Sequence, residues 1–161
     1  MKTVVITGST RGIGLGMAKE FLNRGHQVVI SGTSDNSVSH GLASIDIMKD
    51  NTIGVPCLVQ DPDAIQNLWN EGVKAFGKID IWINNAGVST PRKRLENLDT
   101  DEILNTVDTN LTGSILCTKI VAKEMLKQGF GEIYMFEGFL YMCSCCCFLN
   151  AAPILYGCCS Q

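Results

Sequence analysis

Neither sign of charge dominates this sequence. Thirteen Lys and Arg stand against sixteen Asp and Glu, a formal net charge of −3 over 161 residues. No basic footprint exists for a phosphate backbone, and a nucleic-acid partner is not expected. An apolar leader is missing too: "MKTVVITGST" has one lysine and a short run broken at Thr7 and Gly8. That run is too short for a secretory signal, no small-residue cleavage site follows, and no Arg- and Ser-rich transit segment precedes it. The expected location is cytoplasmic. Internal repeats and linkers are absent. Charge itself vanishes from Gly138 to Cys159, while six of the eight cysteines (Cys143, Cys145, Cys146, Cys147, Cys158 and Cys159) crowd the last nineteen residues. In a cytosolic chain they do not imply a disulfide framework. Cys57 and Cys117, in apolar surroundings, read as small core residues.

What is present has the balance of a globular protein, 45% apolar and 18% charged, with length for one domain and a true core. "KTVVITG" and "HQVVISG" are short β-branched runs of the kind buried on both faces of a sheet, and "TIGVPCLV", "IDIWINNAG" and "GEIYMF" read as three further strands. Between them come helical patterns. Leu15, Met17, Ala18, Phe21 and Leu22 recur at helical spacing before Gly25. In "DPDAIQNLWNEGVKAFG", Asp61 is the cap, Pro62 the first helical residue, and Ile65, Leu68, Trp69, Val73 and Phe76 one stripe. "SIDIMKD" is weakly helical, and a single long helix is predicted from Thr100 to Gln128. Strand–helix alternation implies right-handed crossovers and an α/β fold with a doubly wound parallel sheet.

The first strand runs into "TGSTRGIG", which opens a helix. Gly8 permits a sharp turn, Gly12 clears a path for a pyrophosphate to the backbone, and Gly14 permits close helix–strand packing. With Ser9, Thr10, Arg11 and Ile13 they form a candidate phosphate-binding turn, where free amides and the helix dipole favour anions. The bland alternative is a tight turn without a ligand. At the end of the second strand stand Ser31, Gly32, Thr33 and Ser34, with no acid before Asp35. An NAD site usually places a carboxylate here for the ribose 2′-hydroxyl. Hydroxyls and the nearby Arg11 suit a 2′-phosphate instead, which makes NADP(H) the expected cofactor. Arg11 as a mere solvated loop charge is the competing reading.

These residues resemble the short-chain dehydrogenase/reductase family. "TGSTRGIG" matches its TGxxxGxG cofactor turn, "NNAG" (Asn84 to Gly87) its second signature, and "DTNLTGS" the segment with its structural and catalytic asparagine, here Asn110. The match covers about residues 1–138, and "IDIWINNAG", "NLTGSILCT" and "GEIYMFEG" look most like the chlorophyll b reductase branch. The resemblance implies a Rossmann-type domain over 1–138 and NADPH-dependent hydride transfer between nicotinamide and a small carbonyl or alcohol. It also implies that Asn85, Ala86 and Gly87 line the cofactor's adenosine side, and that Asn110 bends its helix and holds a water in the proton relay. Where the family commonly has an Asp on the adenine amino group, this chain has Leu58. Adenine would then rest on packing and the Val59 backbone, with Asp61 serving as a helix cap.

The family's proton donor is a tyrosine with a lysine four residues on, which lowers its pKa. Tyr156 falls about where that tyrosine should be, but Ser160 stands in the lysine's place. The carbonyl-orienting serine aligns with Gly138 by strand and with Cys143 by spacing, so that Ser144 is the nearest hydroxyl of the right type. The expected sheet is truncated after about the fifth strand, leaving that strand as an open edge. Residues 139–161 are expected to be an aberrant Cys-rich remnant of the catalytic segment. A departure of reading frame, splicing or gene model near Leu140 explains its composition best. A membrane span in 138–159, a zinc knuckle at Cys143 and Cys146, and acylation of the paired cysteines are weaker alternatives. No metal is expected. Relatives are homo-oligomers, pairing through the long helix and the next, and the second of these is essentially missing. The function expected is therefore an oxidoreductase, impaired here, with a non-catalytic NADP(H)-binding protein or an unstable fragment as alternatives.

Overall fold

The computed structural model describes residues 1–45, 50–90 and 93–136. Strands β1 (Thr3–Ile6), β2 (Gln27–Gly32), β3 (Thr52–Pro56), β4 (Ile81–Asn84) and β5 (Glu132–Met135) form one sheet in the order β3-β2-β1-β4-β5. Every pairing is parallel, with Val5 opposite both Val29 and Trp82. This is the doubly wound α/β arrangement that the alternating pattern implies. The unbroken run Thr3-Val4-Val5-Ile6 is buried throughout because β1 lies at the centre with helices on both faces.

Period two along the strands sorts the core into two layers. Val5, Val29 and Trp82 face one side, where α3 (Pro62–Phe76) and α5 (Gly113–Gln128) bring Ile65, Leu68, Trp69, Cys117 and Val121. Val4, Ile6, Val28, Ile30, Ile81 and Ile83 face the other, against Ala18 and Leu22 of α1 (Gly12–Asn23). Each fully buried Ile or Leu contributes about 1.5–3 kcal/mol by leaving water. The Trp69 and Trp82 rings add a tilted pair at 6.4 Å. Helix α3 begins as its sequence suggests, with the Asp61 side chain accepting from the Asp63 amide at 2.9 Å and Pro62 in the first turn.

Two elements differ from the sequence pattern. A helix, α2 (Asp35–Ala43), fills the β2–β3 crossover. It buries only Val38 and Gly41, so its apolar period barely registers. What holds its start is a reciprocal pair of serines: Ser34 accepts from the Ser37 amide, and the Ser37 hydroxyl accepts from the Ser34 amide. The segment read as weakly helical lies largely at 46–49, outside the described residues. The helix predicted over Thr100–Gln128 is divided into α4 (Thr100–Val107), a wide π-helical turn (Asp108–Thr112) and α5. Within that turn the Gly113 amide reaches back five residues, to the Asp108 carbonyl. One extra residue in the turn shifts the inward face, which no heptad-like count of apolar positions reveals.

At the N-terminal ends of the strands, Asp80 ties three of them. It accepts from the Thr3 amide at 2.7 Å and from Lys78 at 2.8 Å, while its carbonyl takes the Glu132 amide. Burial alone would raise the Asp80 carboxyl, but those donors outweigh it and hold it below the usual carboxylate range. Strand β5 lies at the sheet edge among the described residues and is only half covered, with Met135 and the following Phe136 exposed.

Candidate functional site

A cleft of about 740 Å³ opens above the C-terminal ends of β1, β2, β3 and β4, between the β1–α1 turn and the segment after β4. Its size is that of a small-molecule site, and its place is the crevice where open α/β sheets bind ligands. Two backbone positions make the cleft. Gly8 has φ +62°, and a Cβ there would lie 2.7 Å from Ala86 Cα. At Gly14 a Cβ would meet the Gly8 carbonyl oxygen at 2.6 Å. Only glycine allows the first turn to lie against the helix behind it and the loop beside it.

Helix α1 presents its N-terminus to this space. Arg11 is the cap residue but makes no side-chain capping bond, and the first turn contains no acid. Its leading amides lack an intrahelical acceptor by construction. Gly8, Thr10, Arg11, Gly12, Ile13 and Gly14 all line the cleft. Ser9 is placed differently: it is fully buried, its hydroxyl donates to the Ile6 carbonyl at 2.6 Å, and it accepts from the Ser31 amide. It supports the turn from beneath and does not line it. At the end of β2, Gly32 and Thr33 line the cleft, whereas Ser34 is exposed and caps α2. Ser37, one turn further, lines the wall instead. No periodicity marks Ser37, because the helix that carries it is nearly featureless in sequence.

Past β3 the wall is made by Cys57, Leu58, Val59 and Gln60. Leu58 is 47% exposed there, an apolar surface where a base could lie flat. Cys57 and Cys117 are core thiols, each pushed up to about 12 by burial. Gln60 donates to the Thr109 hydroxyl at 2.7 Å, which joins this wall to the π-helical turn. Asp61 is the helix cap, as expected.

The segment Asn84 to Val88 is held by partners far away in sequence. The Thr7 hydroxyl accepts from the amides of Asn85 and Ala86, both at 3.0 Å, and donates to the Ile83 carbonyl at 3.3 Å. The Asn85 side chain returns two bonds, to the carbonyls of Thr7 and Gly8. Asn85, Ala86 and Gly87 line the cleft, while Asn84 is buried. Asn110 lies in the π-helical turn. Its amide clamps Val88 on both sides, donating to the Val88 carbonyl and accepting from the Val88 amide, each at 2.8 Å.

Sequence reasoning did not single out Thr7, Ser37, Gln60, Asn105 or Thr109 as site residues. Gln60 meets Thr109, and Thr7 meets the segment after β4, only once β1, β3, β4 and the π-helical turn converge. Ser144, Tyr156, Ser160 and the Cys-rich segment lie outside the described residues. Among the described residues there is no cluster of metal-ligating side chains, and no helix is long and apolar enough to cross a membrane.

Comparison with known proteins agrees with this geometry. The family model for short chain dehydrogenases matches residues 2–136. The probable chlorophyll(ide) b reductase NYC1, chloroplastic, of Arabidopsis thaliana is 36% identical over 155 residues, covering 85% of this chain and 31% of the relative. A short chain dehydrogenase from Bacillus anthracis aligns with TM-score 0.77 and 30% identity over 83% of this chain and 56% of its own. The structure described as ElxO with NADP bound aligns with TM-score 0.75 and 30% identity, over 83% and 54%. The chain thus spans about a third of the plant relative and just over half of the solved chains. It belongs to the short chain dehydrogenase family, on the chlorophyll b reductase-like branch.

Proposed function

We propose that this chain binds NADP(H) and serves hydride transfer between the nicotinamide and a small carbonyl or alcohol. The observation that carries the reading is the pairing of an uncapped, acid-free helix N-terminus with a β2 end that offers Gly32, Thr33 and Ser37 and no carboxylate. Asp35, the acid nearest in sequence, opens α2 and is not among the cleft-lining residues. The α1 amides would take the pyrophosphate. Arg11, exposed on the same rim, would take the 2′-phosphate with a charge-assisted bond. The NADP named with ElxO supports this choice, and the chlorophyll(ide) b reductase name of the plant relative supports a reductive reaction.

The cofactor, when bound, supplies the hydride. The chain's own part is to orient it: Gly8 and Gly14 keep the cleft open, and the segment Asn85 to Val88 forms the wall opposite the first turn. Tyr156 is the proposed proton donor, with Ser144 on the carbonyl. Ser160 in the lysine's place leaves the tyrosine pKa without its electrostatic depression, so turnover is slow.

NADPH and NADH titrations followed by nicotinamide fluorescence test the cofactor. NADPH is expected to bind about tenfold tighter or more, and Arg11→Ala to erase that preference. Equal affinities, or a preference for NADH, would overturn the assignment. NADPH oxidation with a panel of aldehydes, abolished by Tyr156→Phe, tests the chemistry. Binding without any turnover would make the chain a cofactor-binding protein and not a reductase.

A further inference from the structure

Behind the Val88 clamp runs a chain of hydrogen bonds that the cofactor site leaves unexplained. Trp82, in the middle of the sheet, donates its indole N–H to Asn84 Oδ1 at 2.9 Å. Asn84 Nδ2 donates to the Thr118 hydroxyl at 2.9 Å. Thr118 donates to the Ser114 carbonyl, and the Ser114 hydroxyl donates to the Asn110 carbonyl, both at 2.8 Å. Asn110 then holds both backbone groups of Val88. Two hydroxyls bonding four residues back, in series, are a known way of bending a helix, and here they follow the π-helical turn directly. A helical threonine hydroxyl has rotational freedom. Accepting from buried Asn84 removes it, because the Thr118 proton must then point at the Ser114 carbonyl.

We infer that Thr118 and Ser114 are positioning residues that set Asn110, and through it Val88, at the half of the cleft that receives the nicotinamide. The division of the cleft follows from topology. Pyrophosphate belongs at the α1 N-terminus after β1, and the ribose 2′ position at the end of β2. The adenosine half therefore lies over β2 and β3, and the half over β4 is left for the nicotinamide nucleotide. On this division Val88 falls on the nicotinamide side, and Asn85 to Gly87, which the resemblance puts on the adenosine side, stand where the two halves join. The inference rests on the proposed dinucleotide and adds which helix residues hold its reactive half.

The test compares two probes, NADPH and adenosine 2′,5′-bisphosphate, which fills only the adenosine half. Thr118→Val removes the hydroxyl at nearly constant volume; Thr118→Ser keeps it; Ser114→Ala breaks the next link with less burden on Asn84. Thr118→Val and Ser114→Ala should weaken NADPH about three- to tenfold while leaving the bisphosphate within about twofold of the parent, and Thr118→Ser should restore NADPH binding. Equal weakening of both probes means that the hydroxyls serve only the fold, and the inference fails. Unchanged NADPH binding in both variants also overturns it. A parent chain that binds neither probe would instead defeat the cofactor reading, and so is distinguishable from failure of the relay.

Discussion

The two turns that meet over the sheet are built by opposite means. The first, Thr7 to Gly14, takes its bend from its own residues, with Gly8 at positive φ and Gly14 packed against the Gly8 carbonyl, and the distant bonds from Asn85 and Ser31 only fasten it in place. The second, Asn84 to Val88, is shaped by others: Thr7 holds the amides of Asn85 and Ala86, and Asn110 holds Val88. Local backbone permissiveness makes one wall of the cleft, and distant side-chain hydrogen bonds make the other. A motif of small residues can therefore mean a conformation in one place and a close approach in another.

The most damaging way to break this contrast is Gly14→Val. Its Cβ would meet backbone atoms of Gly8 and Ser9, which cannot rotate away. The expected cost is about 4 kcal/mol or more, read as a lowered urea midpoint, with NADPH binding lost. A loss under about 1 kcal/mol would show that the turns do not abut this tightly. Next comes Thr7→Val, which is nearly isosteric but leaves the part-buried amides of Asn85 and Ala86 without their acceptor. Destabilisation of about 2–4 kcal/mol is expected in the same denaturation series. Should cofactor affinity survive at the parent's value, the second turn would prove to be held without its threonine.

The smallest effect sharpens the comparison from the far end of the sheet. Because the folded Asp80 carboxyl lies below its ordinary value, its contribution is present above the unfolded pKa, near 3.9, and is lost as pH falls through the lower folded value. Glu132 adds in the same direction through its bonds from Tyr134 and Lys2. Asp80→Asn should flatten the acid side of the stability curve below about pH 4 and leave NADPH affinity unchanged. An altered affinity would mean that the two ends of the sheet are coupled.

The legibility of the molecule follows the same division. Strands were readable because burial on two faces demands unbroken β-branched runs, as in Thr3 to Ile6. The start of α3 was readable because Asp61 and Pro62 act within one turn of chain. Helix α2 was not, since its stability comes from a pair of serines and two buried small positions. The break at Asp108–Thr112 was not either, because an added residue in a helical turn leaves polar and apolar residues in plausible order. Ser9 and Ser34 looked like ligands for the same reason that Ser37 did not: a hydroxyl's neighbours depend on which way its element faces.

By itself, the sequence determined the alternation of strand and helix, the parallel sheet and the glycine-rich first turn that opens a helix. Each of these depends on residues close together in the chain, through period, glycine freedom or capping. Only the tertiary structure decided that Thr7 would hold the loop after β4, that Ser37 and not Ser34 would line the wall, and that Asn110 would clamp Val88. Hydrogen bonds between residues some twenty to eighty positions apart exist only after the sheet has closed, and no local pattern records them.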